Sequence, residues 1–192
     1  MGQIWLTSDE HLGHPKAAAL RGFYTVGGHD REIITNLRRL VREGDDCYHL
    51  GDTALGDRAA GLALIAGLPG RHHLVLGNHD RGHPLNPNGH LHTHEYLEAF
   101  ASVQTVARIN YQGLRIMLSH FPYEGDTDGR DVDRHVGWRL RDEGELLACG
   151  HTHSKKRVTR TSKGTVQINV GVDAWDMRPV RLHDALTEAG VL

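Results

Sequence analysis

His73-Leu74-Val75-Leu76-Gly77-Asn78-His79-Asp80 sets a short apolar run directly against a glycine and three polar side chains. A run of that length bounded by turn residues fits a buried strand better than a helix, which puts the polar cluster at the strand's C-terminal end. The same order recurs along the chain. Gln3 to Thr7 runs into Ser8-Asp9-Glu10-His11, Cys47 to Leu50 into Gly51-Asp52, Leu114 to Leu118 into Ser119-His120, and Glu145 to Cys149 into Gly150-His151-Thr152-His153. Between the first three runs, His29 to Val41 places Ile33, Ile34, Leu37, Leu40 and Val41 on one helix face. A second helix is predicted over Arg58 to Leu68, with Asp57 as its N-cap and Pro69-Gly70 as its stop. Strand, helix, strand, helix, strand predicts a parallel βαβ arrangement with its polar loops gathered at one edge.

The second half is richer in strands. Val103 to Asn110 and Leu114 to Leu118 flank Tyr111-Gln112-Gly113, a predicted hairpin turn, and Lys156 to Thr161 and Thr165 to Val170 flank Ser162-Lys163-Gly164. Arg81 to His94 and Gly125 to Asp133 show no periodicity and are predicted loops. The architecture expected is an α/β sandwich of two stacked sheets with helices outside, forming one domain over residues 1–192.

Composition narrows the class. With 39% hydrophobic and 24% charged residues the chain fits a soluble globular protein, and a net charge of −2 gives no global pull toward nucleic acid or membrane. No apolar run is long enough to span a bilayer, and Met1-Gly2-Gln3-Ile4 enters a strand without a leader's basic start, so a cytoplasmic location is expected. Cys47 and Cys149 sit in apolar runs and are expected to be buried, reduced thiols.

The clusters carry nitrogen and oxygen donors, the set that suits Mn, Fe or Zn. Asp9 and His11, like His151 and His153, are two apart, which in an extended segment places both side chains on one side. Asp52, alone after a glycine, has the two oxygens needed to bridge a pair of cations. Two cations about 3.5–4 Å apart can clamp a phosphate and hold a hydroxide for in-line attack. One His or Asp at a strand end is ordinarily a loop residue or a cap; five clusters in series are the signal. Gly77 and Gly150, on the bland reading, only relax the backbone.

Asp9-x-His11, Gly51-Asp52, Gly77-Asn78-His79-Asp80, His120 and Gly150-His151-x-His153 resemble, in order, the five motifs of the calcineurin-like metallophosphoesterase superfamily. Tyr48 to Asp52 and Asn169-Val170-Gly171-Val172-Asp173 are similar to a small bacterial and phage branch. The resemblance implies an αββα sandwich of two mixed sheets flanked by helices. It implies two divalent metal ions, Mn first with Fe or Zn as alternatives: one held by Asp9, His11, Asp52 and His153, the other by Asp52, Asn78, His120 and His151. His79 faces substrate on this analogy, as general acid for the leaving oxygen or as a stabiliser of phosphoryl charge, and Asp80 accepts a hydrogen bond from His79 that favours imidazolium.

The activity implied is attack of a metal-bridging hydroxide on a small phosphodiester, cyclic nucleotides including 2′,3′-cyclic ones among the candidates. A nuclease or phosphomonoesterase with the same site is the alternative, and a scaffold with a vestigial metal site is the alternative from another class. Protein Ser/Thr phosphatases are disfavoured, because Gly51-Asp52 continues Thr-Ala-Leu-Gly and the later motif ends in Asp80 rather than Glu. No membrane partner and no stable nucleic-acid complex are expected; exposed strand edges are compatible with a homodimer.

Other residues carry weaker readings. His14 reads as a surface-loop residue ahead of lining the site, to which it is close in sequence. His83, His90, His92 and His94 read as a soluble loop ahead of an extra metal site. Lys155-Lys156-Arg157 read as a solvated edge ahead of a phosphate contact. Trp138 and Trp175 read as packing ahead of base stacking. His29, His49, His72, His73, His135 and His183 are expected to be structural or exposed, and Glu10 and Thr152 to be spacers.

Overall fold

The computed structural model describes residues 2–127 and 132–192; residues 128–131 of the predicted loop Gly125 to Asp133 lie outside them. The first sheet holds β1 (Ile4–Thr7), β2 (Asp46–His49), β3 (Arg71–Val75) and β4 (Ser102–Gln104), mutually parallel, with β10 (Val180–Arg181) antiparallel on the β1 edge. The second holds β5 (Ala107–Tyr111), β6 (Leu114–Leu118), β7 (Leu146–Cys149), β8 (Val158–Arg160) and β9 (Val166–Asn169) in the order β5-β6-β7-β9-β8. Its three central strands are parallel and its outer two antiparallel, so both sheets are mixed.

Strand alternation builds the layers. Leu6 and Val75 face inward and meet Ile116, Leu118, Ala148 and Ile168 from the second sheet, forming the core between the sheets. Their neighbours Trp5, Cys47 and Leu74 point the other way and pack under helices α2 (Val26–Leu40) and α3 (Arg58–Ala66), through Ile33, Ile34, Leu37, Leu62 and Ile65. On the second sheet's outer face, Leu147 and Cys149 pack with Tyr123 and Leu140. The helix starts follow their caps: Thr25 Oγ1 accepts from Gly28 N at 3.0 Å, and Asp57 Oδ1 from Ala60 N at 3.0 Å, the cap predicted at Asp57. Cys47 and Cys149 are buried free thiols, and no helix among the described residues is long and apolar enough to cross a membrane.

Three departures from the sequence expectations stand out. The single run Val103 to Asn110 is two strands in different sheets: β4 pairs with β3 and β5 with β6, and exposed Thr105 and Val106 carry the chain across. Within Arg81 to His94 a 3₁₀ segment, Gly89–Tyr96, begins, drawn inward by fully buried Tyr96, whose hydroxyl accepts from Arg81 N at 2.8 Å. The short helices α1 (Pro15–Leu20) and α4 (Leu182–Glu188) carry too few turns for periodicity to reveal them.

One buried acid anchors the first strand. Asp45 accepts from Gln3 N at 2.7 Å, Arg42 N at 2.9 Å and Trp5 Nε1 at 3.0 Å. Burial opposes its ionisation, yet these donors hold the carboxyl below its ordinary 3.8. Stability from a depressed carboxyl is present above the unfolded pKa and is lost as pH falls through the folded one. Asp45→Asn should therefore cost about 1–3 kcal/mol at pH 7, the scale of hydrogen bonds to a charged acceptor. In urea melts the gap from the parent should close as pH is lowered below 3.8; a gap that stays constant would assign it to packing alone.

Candidate metal centre

The loops that follow β1, β2, β3, β6 and β7 meet at the carboxyl edge of the two sheets, and each delivers one predicted cluster there. None of the paired residues is extended. Asp9 and His11 have φ of 59° and 50°, His151 and His153 of 71° and 51°, and Asp52 of 57°. Left-handed backbone is uncommon for residues with a Cβ and persists where the surroundings over-determine it. The expectation that alternation in an extended segment aligns these side chains is thus corrected: curled loops align them.

Two glycines permit the loops to touch. A Cβ on Gly77 would strike Asp52 Oδ1 and a Cβ on Gly150 would strike Ser8 Oγ and Asp9 Oδ2, so both positions are set by close approach, and neither needs a positive φ.

The hydrogen bonds fix which ring nitrogens carry protons. His120 Nδ1 donates to the Leu50 carbonyl at 2.7 Å, His151 Nε2 to Asp126 Oδ2 at 2.9 Å, and His153 Nδ1 to Asp173 Oδ2 at 2.8 Å. On His120, His151 and His153 the other nitrogen therefore presents a lone pair toward the centre, whereas His11 Nδ1 has no hydrogen-bond partner to set its tautomer. His120 Nε2 lies 3.1 Å from His151 Nδ1 and 3.0 Å from Asn78 Oδ1, while His11 Nε2 lies 3.1 Å from His153 Nε2. Around His120 Nε2, His151 Nδ1 and Asn78 Oδ1 acceptors converge, an arrangement that a shared positive charge would satisfy.

The carboxylates have the same design. Asp9 Oδ2 accepts from His151 N at 2.9 Å, which leaves Oδ1 buried with no hydrogen-bond partner, 3.9 Å from His153 Nε2. Asp52 Oδ1 accepts from His79 N at 2.8 Å, which leaves Oδ2 between the two groups, 3.9 Å from His11 Nε2 and 3.5 Å from His120 Nε2. Two sets of donors, Asp9/His11/His153 and Asp52/His120/His151, are each compact enough for one ion, with Asp52 reaching toward both.

Electrostatics divide the ligands: burial opposes charge on His120 and His153, yet Asp52 raises the pKa of the first and the Asp173 hydrogen bond that of the second. Burial, with Asp80 and Asp9 nearby, pushes the Asp52 carboxyl up to about 7 although His120 opposes it, the signature of an anion lacking a cation. Burial holds His11 down to about 3, and burial with His120 holds His151 down to about 4, so both rings keep the neutral form that coordinates metal. Nitrogen and oxygen donors, neutral imidazoles and an orphaned carboxylate oxygen together fit a pair of divalent cations.

Asp80 does not do what the family resemblance implies. Its carboxylate is fully buried and accepts from Asp52 N and Gly77 N, both at 2.8 Å, and from Thr53 N and Oγ1 at 3.3 and 3.2 Å. It braces the Asp52 loop instead of orienting the His79 ring. The expected push toward imidazolium is likewise reversed, because burial and then His120 lower the His79 pKa. His79 is exposed and lines a cleft with His11, His14 and His153.

Residues outside the five motifs complete the centre. Asp126 and Asp173 orient His151 and His153, as above. Arg21 grips both Asp173 oxygens at 2.9 and 2.7 Å and donates to the Asp9 and Glu10 carbonyls at 2.7 and 3.1 Å. A legible signal existed for Asp173, since Asn169-Val170-Gly171-Val172-Asp173 repeats the pattern of apolar run and polar residue. Nothing local marks Asp126 or Arg21. If these carboxylates set ring orientation, Asp126→Asn and Asp173→Asn should each weaken divalent-metal binding about 10–100-fold. Calorimetric titration of chelator-treated protein measures this; unaltered affinity in both variants would sink the assignment.

Glu10 is more than a spacer. The His72 ring donates from Nε2 to the Pro69 carbonyl at 3.1 Å, so its Nδ1 accepts from His49 Nε2 at 2.9 Å, and His49 Nδ1 then donates to Glu10 Oε1 at 2.7 Å. His49 and Glu10 are fully buried. Burial opposes charge on His49, yet Cys47 and Glu10 push its pKa up to about 10, making this a buried ion pair directly behind the Asp9–His11 loop.

The remaining histidines are structural or peripheral. His29 is buried between Asp30 and Arg21, and His92 pairs with Glu95. His83, buried, accepts from Leu85 N and packs its ring against Phe121 and exposed Trp138. Trp175 donates to the Asn169 carbonyl at 2.7 Å and stacks under Arg157, 4.3 Å from its ring centre.

Comparison with known proteins places this geometry. The Gene 66 protein of Mycobacterium phage L5 is 38% identical over 186 residues, covering 91% of this chain and 88% of that protein. In fold, the chain is similar to a protein of unknown function from Aquifex aeolicus, with a TM-score of 0.71 at 24% identity over 98% of this chain and all of that one. It is also similar to the phosphopantetheinyl hydrolase of Mycobacterium tuberculosis, with a TM-score of 0.53 at 12% identity over 94% and 95% of the two chains. The model of the calcineurin-like phosphoesterase superfamily domain matches residues 3–183, and the chain belongs to that superfamily of metal-dependent phosphoester hydrolases.

Proposed function

We propose that this protein is a dinuclear metal-dependent phosphodiesterase acting on small phosphodiesters, with cyclic nucleotides, 2′,3′-cyclic ones included, among its substrates. The observation that carries the reading is the pair of inward-facing donor groups sharing Asp52, with Asp9, His11 and His153 on one side and Asn78, His120 and His151 on the other. Two divalent ions there, Mn first on the family resemblance with Fe or Zn accepted by the same donors, would supply charge neutralisation for a phosphoryl group and an activated water.

The chain does the rest. The Asp126, Asp173 and Leu50 acceptors keep the imidazole lone pairs aimed inward. His79, anchored through its backbone by Asp52, stands in the adjoining cleft, where a neutral ring can donate a hydrogen bond to a phosphoryl oxygen and a protonated one can pass its proton to the leaving oxygen. That cleft, about 430 Å³, runs from His11, His79 and His153 to Lys155, which gives an ester arm of the substrate a place beside the donors.

Bis(4-nitrophenyl) phosphate with added Mn²⁺ tests the reading against 4-nitrophenyl phosphate. The diester should have the larger kcat/KM. His79→Ala should retain metal and lose about 10²–10⁴-fold in kcat, the range of general acid catalysis. Absence of diester turnover by metal-loaded protein would refute the diesterase reading, and an unchanged kcat would remove His79 from the mechanism.

A further inference from the structure

The cleft that holds His79 is one end of a longer groove. It shares Leu20, Arg21, Lys155 and Asp173 with a second hollow of about 790 Å³ that extends to Lys156 and Arg157. Charge along this groove is unequal once its ion pairs are counted. Asp173 is taken by Arg21 and His153, Asp176 by Arg178 at 2.9 Å, and Glu188 by Arg157 at 3.7 Å. Every acid in the hollow thus has a cation. Lys16 in the first cleft, and Lys155 and Lys156 in the extension, are exposed and have no ion-pair partner among the described residues. Leu20, 80% exposed, adds an apolar side chain to the lining that both hollows share.

Unpaired cations together with an apolar contact match a ligand that alternates phosphates with uncharged sugar and base. A cyclic mononucleotide has one phosphate, which the metal donors would occupy, and it would leave the lysines idle. We propose that the groove binds a neighbouring phosphate of a linear substrate, so that the preferred diester is a short single-stranded oligonucleotide with Lys155 and Lys156 holding the phosphate next to the scissile one. This rests on the diesterase reading above and specifies its substrate. The chain's small net charge is no obstacle, because the recognition is confined to the groove.

The test compares three substrates with Mn²⁺-loaded protein: bis(4-nitrophenyl) phosphate, TpT with one phosphate, and TpTpT with two. TpTpT should exceed TpT in kcat/KM by about tenfold or more, beyond the twofold that its second scissile bond supplies. In Lys155→Gln/Lys156→Gln that advantage should shrink toward twofold. The fall of kcat/KM with rising salt for TpTpT should be shallower in the double variant than in the parent. Turnover of the aryl diester with no advantage for TpTpT overturns the groove assignment and leaves the diesterase standing. An advantage that survives in the double variant also overturns it. No turnover of any of the three diesters takes down both.

Discussion

Asp52→Asn is expected to lower diester hydrolysis by roughly a thousandfold, the scale of losing a preorganised electrostatic group, while leaving the fold intact. An amide can still accept from His79 N through one oxygen, but it cannot offer a second, anionic oxygen between His11 Nε2 and His120 Nε2. Metal content should fall below two ions per chain. The metal-free variant should be at least as stable as the parent, for a reason visible in the site. Burial and the nearby Asp80 and Asp9 carboxylates raise the Asp52 pKa to about 7, so without cations its ionised form works against folding. Melting of chelator-treated protein, metal analysis and kinetics check the three parts together. An Asp52→Asn protein with two bound ions and parental rates would show that the bridge is not needed.

The second large effect is on stability. Removing one partner of the buried Glu10–His49 pair should cost about 3–5 kcal/mol, because the other charge stays buried without compensation. For a chain of this length that is a fall in Tm of roughly 6–20 °C. His49→Leu and Glu10→Leu should each show it, and the double variant should recover much of the loss. The pH dependence has a definite sign. A histidine raised from 6.5 to about 10 on folding contributes stability that is full below 6.5 and lost as pH rises through 10. The parent should weaken over that alkaline interval more than the double variant does. Strict additivity of the two single substitutions in thermal melts would mean the pair is not coupled.

How much of this was legible in the sequence depends on the range of the physics involved. Asp9, His11, Asp52, Asn78, His120, His151 and His153 were legible because residue type and placement after an apolar run are local properties. The parallel order of the first three strands was legible for the same reason, since helical periodicity lies between them. The split of Val103 to Asn110 was not, because β4 and β5 differ only in their distant partners, β3 and β6. Asp126 and Arg21 were hidden because their roles exist only across long separations, His151 being 25 residues from Asp126 and Asp173 being 152 from Arg21. Asp80 shows the converse error: the family resemblance implied a contact with the His79 ring, and the backbone turned its carboxylate toward the Asp52 loop instead.

Each donor group draws on both sheets. Asp9 and His11 leave the first and His153 the second; Asp52 and Asn78 leave the first and His120 and His151 the second. The halves of each site are therefore far apart along the chain, 142 residues for His11 and His153, and no fragment that stops before β7 possesses either one. Pairings of such span form late in folding, after the entropy of closing long loops has been overcome. Metal capture then belongs to the last stage of folding. Once seated, the ions would act as rivets through the seam between the two sheets, adding to its side-chain packing and to the few hydrogen bonds that cross it, such as Val172 N to the Ser8 carbonyl, and would resist their sliding apart.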